Sequence, residues 1–159
     1  MTDQDAYRIA ALEVDDASLA ATTADAEHER RVAIFDLLES NSFRVPDAGP
    51  GPYDLRLAAA DNRLIFDVRD LQRAQLRTIV LSLSPFRRVI RDYLLICESY
   101  VNAIRSATPS QIEAVDMGRR GLHNEGSELL RERLKDKAEL DLETARRLFT
   151  LICALHRPR

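Results

Sequence analysis

Two hydrophobic periods divide this chain. Between Tyr53 and Leu83 apolar residues fall mainly at every second position, and beyond Ser84 they fall three and four apart. Tyr53, Leu55 and Leu57 alternate with Asp54 and Arg56. Leu64, Phe66 and Val68 alternate with Asp67 and Arg69, and Ile79, Leu81 and Leu83 with Val80 and Ser82. Alternation sends successive side chains to opposite faces of a strand, so the pattern predicts three half-buried strands. Asp61-Asn62 suits a tight turn between the first two, because both residues tolerate left-handed backbone. A second turn falls near 70–73. Short connections make these strands antiparallel neighbours.

After Ser84, placed as a cap, Pro85 suits the first helical position. Phe86, Val89, Ile90, Tyr93, Leu94, Cys97, Val101 and Ile104 then form the longest apolar stripe at helical spacing. The stripe predicts that the helix over about 85–105 is the central one. Thr108-Pro109-Ser110-Gln111 is a capping box that opens a new helix, and Gly118 is read as its end. A further helix begins near Leu122, with Gly126, Leu129, Leu130 and Leu134 on one face. The last starts at Asp141 and turns Ala145, Leu148, Phe149, Ile152 and Leu155 inward. Ahead of the meander, 7–14 reads as a strand and 24–41 as a helix with Ile34, Leu37 and Leu38 on one face. Residues 44–52, rich in proline and glycine, read as a surface loop.

The fold class that follows is α+β: a small antiparallel sheet of three or four strands packed on a long helix, with a helical C-terminal half. The 159 residues suit a single domain over 1–159. Residues 1–84 form the mainly α/β part, with the meander at 53–84, and residues 85–159 the helical part.

Composition adds three constraints. With 45% hydrophobic and 31% charged residues the chain is globular rather than disordered. Tryptophan is absent and aromatics make up 6%, so the core must be mainly aliphatic, with no deep cofactor pocket evident. The net charge of −3 divides into −6 over 1–84 and +3 over 85–159, which argues against bulk duplex-DNA binding while leaving local basic patches open. Cys97 and Cys153 both lie in apolar helical sequence and read as buried thiols. Met1-Thr2-Asp3-Gln4-Asp5 lacks the basic-then-apolar order of an export signal. No apolar run approaches the roughly 20 residues of a membrane span. The expected location is cytoplasmic, with no membrane partner.

The candidate chemistry sits in Gly118-Arg119-Arg120-Gly121-Leu122-His123-Asn124-Glu125-Gly126, which holds three of the chain's five glycines. Each glycine within helical sequence costs about 1 kcal/mol relative to alanine, so the cluster predicts a built bend. Backbone N–H groups at such a bend, a helix start and two guanidinium groups would suit a phosphate or carboxylate. The candidate ligand-binding residues are Gly118, Arg119, Arg120, Gly121, His123 and Asn124. Walker and Rossmann spacings are absent. His123 with Asp116 or Glu125 is the weaker, catalytic candidate. HExxH, CxxC and GxSxG patterns are missing, so no metal, cofactor or serine nucleophile is expected. His28 reads as part of a solvated helix face and His156 as a helix-end residue.

The tracts Ser106–Glu113 and Asp116–Leu130 resemble a small family of uncharacterised bacterial proteins, seen mainly in alphaproteobacteria. So do Glu27-His28-Glu29-Arg30, Val32–Glu39, Ser84-Pro85-Phe86-Arg87-Arg88, Asp92-Tyr93, Ile96–Tyr100 and Thr144–Cys153. The resemblance spans nearly the whole chain. It implies a full-length, single-domain, intracellular bacterial protein and brings no catalytic residues to carry over. Leu71-Gln72-Arg73 departs from it, standing where a more glycine-like turn is expected. Three function classes follow. The favoured one is a non-enzymatic binding protein recognising an anionic group on a nucleotide, RNA or protein partner at the Gly118–Gly126 bend. The others are a small enzyme using His123 and a structural or oligomeric adaptor. A homo-oligomer stays open.

Overall fold

The structure is a computed structural model that describes residues 6–15 and 24–156. The Met1–Asp5 reading lies outside them. In chain order the elements are β1 (Ile9–Val14), α1 (Ala24–Glu39), β2 (Phe43–Arg44), β3 (Tyr53–Ala60), β4 (Arg63–Arg69) and β5 (Gln75–Ser82). These are followed by α2 (Arg87–Ser106), α3 (Pro109–Leu134), β6 (Glu139–Leu140) and α4 (Leu142–Leu155). The α+β class holds.

β3, β4 and β5 form the expected antiparallel meander, with Leu57 opposite Phe66 and Phe66 opposite Ile79. Asp61 and Asn62 make the tight turn at φ 54° and 61°. In the second turn Arg73 takes φ 70°. That is the left-handed conformation for which a glycine-like residue was expected. The Asp70 carboxylate organises the turn by accepting from the backbone N–H groups of Gln72 and Ala74, each at 2.9 Å. The expected all-antiparallel sheet needs correction. β1 joins as a fourth strand parallel to β3, giving the order β1-β3-β4-β5. The connection between two parallel strands must cross over, and here α1 and β2 lie within it.

Asn41, just after α1, is buried and ties that helix to β1. Its Oδ1 accepts from the Ile9 N–H at 2.7 Å, and its Nδ2 donates to the carbonyls of Ile9 and Leu37 at 2.9 and 2.8 Å. β2 and β6 pair as a two-stranded antiparallel ribbon, Phe43 opposite Leu140. The ribbon and the Ser42 N–H bond to the buried Thr144 hydroxyl, 2.9 Å, hold the start of α4 beside the end of α1.

The helices do not share the core as their stripes suggest. In α2 Val89 and Ile90 are buried, whereas Leu95, Val101 and Ile104 are more than half exposed. The central helix is α4. Asp141 caps it by accepting from the Thr144 N–H at 2.9 Å. Ala145, Leu148, Phe149, Leu151, Ile152, Cys153 and Leu155 are all buried along it, and a helix apolar on several sides belongs inside. With the inner face of the sheet they form one continuous core. Ser84 does not cap α2. It opens a short 3-10 turn over Ser84–Phe86, and its hydroxyl accepts from the Asn62 amide at 3.0 Å. Among the described residues no helix is long and apolar enough to cross a membrane.

Candidate functional site

The expected bend does not exist. α3 runs without interruption from Pro109 to Leu134, through Gly118, Gly121 and Gly126. Its start is as read from the sequence: the Thr108 hydroxyl accepts from the Gln111 N–H at 3.3 Å, and the Gln111 side-chain oxygen accepts from the Thr108 N–H at 3.0 Å. Asn124 and Ser127 are therefore mid-helix and cap nothing. Two of the glycines are explained by neighbours. A side chain at 118 would meet the tip of Ile96 on α2 at 2.7 Å, and one at 126 would run into the Phe149 ring on α4. Gly121 has open space around it. The glycines let helices approach closely, and that contact sustains a helix their intrinsic propensity opposes.

Continuity puts Asp116, Arg119, Arg120 and His123 on successive turns of one face. Asp116 accepts from Arg119 Nε at 3.2 Å and pairs with Arg120 at 3.0 Å. The Arg119 guanidinium holds the Asp116 carboxyl below the usual carboxylate range, with Arg120 adding to the effect. Arg119 also lies over the Tyr100 ring, 4.4 Å from its centroid, a cation–π contact. Arg120 is largely exposed.

His123 is packed between two aromatic rings, Tyr93 at 5.2 Å and Phe149 at 5.3 Å between centroids. Its Nε2 lies 2.9 Å from the Thr150 hydroxyl oxygen. Thr150 gives its single proton to the Arg146 carbonyl at 3.1 Å, so the bond runs from His123 Nε2–H to Thr150. Burial, followed by the charges of Arg146 and Arg119, pushes the imidazole down to about 4. His123 is thus a neutral ring near pH 7. No hydrogen bond joins it to Asp116 or Glu125 among the described residues. Asp116 is held by the two arginines and Glu125 pairs with Arg88. Burial likewise raises the Tyr93 phenol, and the neighbouring Cys97 adds to the effect.

Tyr93, Arg119, Arg120, His123 and Arg146 surround a cleft of about 220 Å³ with no carboxylate in its lining. It opens beside a broader groove of about 760 Å³ bordered by α1, α2, α3 and α4. Of the six ligand-binding residues read from the sequence, the structure brings Arg119, Arg120 and His123 into the cleft. Gly118, Gly121 and Asn124 are outside its lining, and Asn124 Oδ1 is buried without a hydrogen-bond partner. Sequence reasoning missed Arg146, Tyr93 and Tyr100 as site residues. Arg146 has a signal of its own: it sits four residues before Thr150, on the flank of the inward α4 stripe. His28 is exposed and lines the broad groove. His156 is the helix-end residue expected, its ring Nδ1 2.7 Å from the Ile152 carbonyl oxygen. Within the described residues no group of histidine, cysteine and carboxylate side chains is arranged to hold a metal ion.

Comparison with known chains gives a consistent family assignment. A UPF0262 protein of Caulobacter vibrioides is 63% identical over 150 residues, covering 94% of this chain and 93% of its own length. A counterpart in Phenylobacterium zucineum is 62% identical over 150 residues, with the same coverage. One in Mesorhizobium japonicum is 55% identical over 158 residues, 98% of each chain. No solved structure matches. The family model described as "Uncharacterised protein family (UPF0262)" matches residues 6–158, and the chain belongs to that family.

Proposed function

We propose that this is a non-enzymatic binding protein whose cleft between α2, α3 and α4 receives a single anionic group. The observation that carries the reading is the convergence of Arg119, Arg120 and Arg146 with His123 around a space of about 220 Å³ lined by no carboxylate. Guanidinium groups bind phosphate and carboxylate through paired, charge-assisted hydrogen bonds. The field of Arg146 and Arg119 is already felt at His123, where it opposes a further positive charge. The same neutral histidine, bonded to a hydroxyl and packed by rings, supports recognition rather than proton transfer. The anion site is thus one face of a continuous helix plus one residue of α4, in place of a glycine bend.

The test is calorimetric titration with inorganic phosphate and pyrophosphate, comparing wild type with Arg120→Glu combined with Arg146→Glu. Arg120 is the exposed member of its ion pair and Arg146, though less exposed than its partner Glu143, keeps about a third of its side chain in solvent, so the variant should keep its circular dichroism spectrum and lose binding. Binding that survives both charge reversals, or no binding of either anion to wild type, would end the reading.

A further inference from the structure

We propose that the occupant of the groove is a small amphipathic anion, a single acidic head on an alkyl body, in the class of a medium-chain carboxylate. This rests on the anion reading above and specifies what is attached to the anionic group. The argument starts from α2. Tyr93, Cys97, Tyr100, Val101 and Ile104 all line the broad groove, and their spacing puts them along one side of the helix. Val32 and Ala33 of α1 line it too. Val101 is 52%, Ile104 55% and Val32 43% exposed. The far end of this strip, Val101 and Ile104, therefore stays uncovered where the sequence pattern would have buried it, while Tyr93, Cys97 and Tyr100 are partly buried. From Tyr93 to Ile104 the strip runs for about 16 Å at 1.5 Å per residue.

Tyr93 belongs to both spaces: it lines the arginine cleft and it begins the strip. The cationic end and the apolar floor are thus one surface. A body lying along Tyr100, Val101 and Ile104 would carry its acidic head to Arg119, Arg120 and Arg146. The groove's volume of about 760 Å³ falls in the range of small-molecule sites, roughly 300–1,000 Å³, which are mostly apolar with a few polar groups that fix orientation. Glu29, Asp36 and Glu143 also border the broad part. They repel a second negative charge there, so one head with an uncharged tail fits and a polyanion does not. Arg146 pairs with Glu143 at 3.0 Å and Arg119 and Arg120 both pair with Asp116, so the head must share all three guanidinium groups.

The full-length protein is titrated at neutral pH with sodium decanoate, sodium acetate, decyltrimethylammonium and inorganic phosphate. Decanoate should bind about 100-fold or more tightly than acetate, since burying several methylenes supplies the difference. Decyltrimethylammonium, with the same tail and opposite charge, should not bind. Ile104→Asp and Val101→Asp replace side chains that are already more than half exposed and should fold normally. Each should weaken decanoate binding about tenfold or more and leave phosphate unchanged. If phosphate binds and decanoate binds no better than acetate, the amphiphile inference fails and the anion reading stands. If neither phosphate nor decanoate binds, both fail. Equal binding of decanoate and the cationic amphiphile, or decanoate binding untouched by both aspartates, overturns the inference. So does protein that sediments with phosphatidylglycerol vesicles while taking up no monomeric decanoate.

Discussion

Gly126 on α3 abuts the far end of the Phe149 ring on α4, so closely that even a methyl group at 126 would occupy the ring's space. Phe149 is fully buried and edge-on to Tyr93 at 6.0 Å and His123 at 5.3 Å. The contact therefore sets the distance between α3 and α4 beside the cleft that His123 and Arg146 both line.

The three glycines should respond differently to alanine. Gly126→Ala overpacks a buried ring and should destabilise by about 1–3 kcal/mol. Gly121→Ala adds a methyl group in open space on a helix and should be neutral or stabilise by up to about 1 kcal/mol. Gly121 lies within the uninterrupted helix and needs no backbone angles reserved for glycine. Gly118→Ala should fall between, because the tip of Ile96 can turn aside. Urea unfolding of the three variants orders them; Gly126→Ala at wild-type stability would mean α3 and α4 pack differently.

Core weight should follow α4 rather than the longest stripe. Leu148→Ala removes a fully buried side chain and should cost about 2–5 kcal/mol. Ile104→Ala, at a position 55% exposed, should cost less than about 1 kcal/mol. A larger loss at Ile104 would restore α2 as the central helix.

The adjacent arginines should separate. Arg119 stacks on Tyr100 and bonds Asp116, so Arg119→Ala should cost on the order of 1 kcal/mol. Arg120 is exposed and its ion pair is worth little to stability, so Arg120→Ala should leave the unfolding midpoint almost unmoved. Equal losses would assign Arg120 an architectural role.

Acid should act through His123. Its folded pKa, about 4, is below its ordinary value of 6.5, so the unfolded chain takes the proton first as pH falls. The stabilisation is complete above about pH 6.5 and is lost as pH drops through about 4. His123→Gln should flatten the stability slope in that window. An NMR titration of the ring in wild type should show a midpoint near 4; a midpoint near the ordinary value would place the ring in water.

Local signals were legible where one residue type has one local use. Asp61-Asn62, the Thr108–Gln111 box and the Asp141 cap were all visible for that reason. Legibility failed where a distant surface decides. A glycine's intrinsic cost reads as a break, and only the Ile96 tip and the Phe149 ring show why α3 continues. A stripe such as Val89 to Ile104 records which side of a helix is apolar, not whether anything covers it. Arg119, Arg120 and His123 could be picked out from their cluster. Arg146 carries only its place on the flank of the α4 stripe as a signal, because it reaches them by folding and not by sequence proximity. β1 alternates too weakly to reveal that its partner is β3 or that the pair is parallel.

Asn41 has a consequence at the margin of the sheet. Its amide answers both the N–H and the C=O of Ile9, as a neighbouring backbone would. At that position β1 offers no hydrogen-bonding pair to an incoming chain. One side chain thus acts as a full stop to the sheet, standing at that position where a further strand would pair. Asn41→Leu would leave the N–H and C=O of Ile9 buried without that partner, and its signature would be lost stability rather than lost binding.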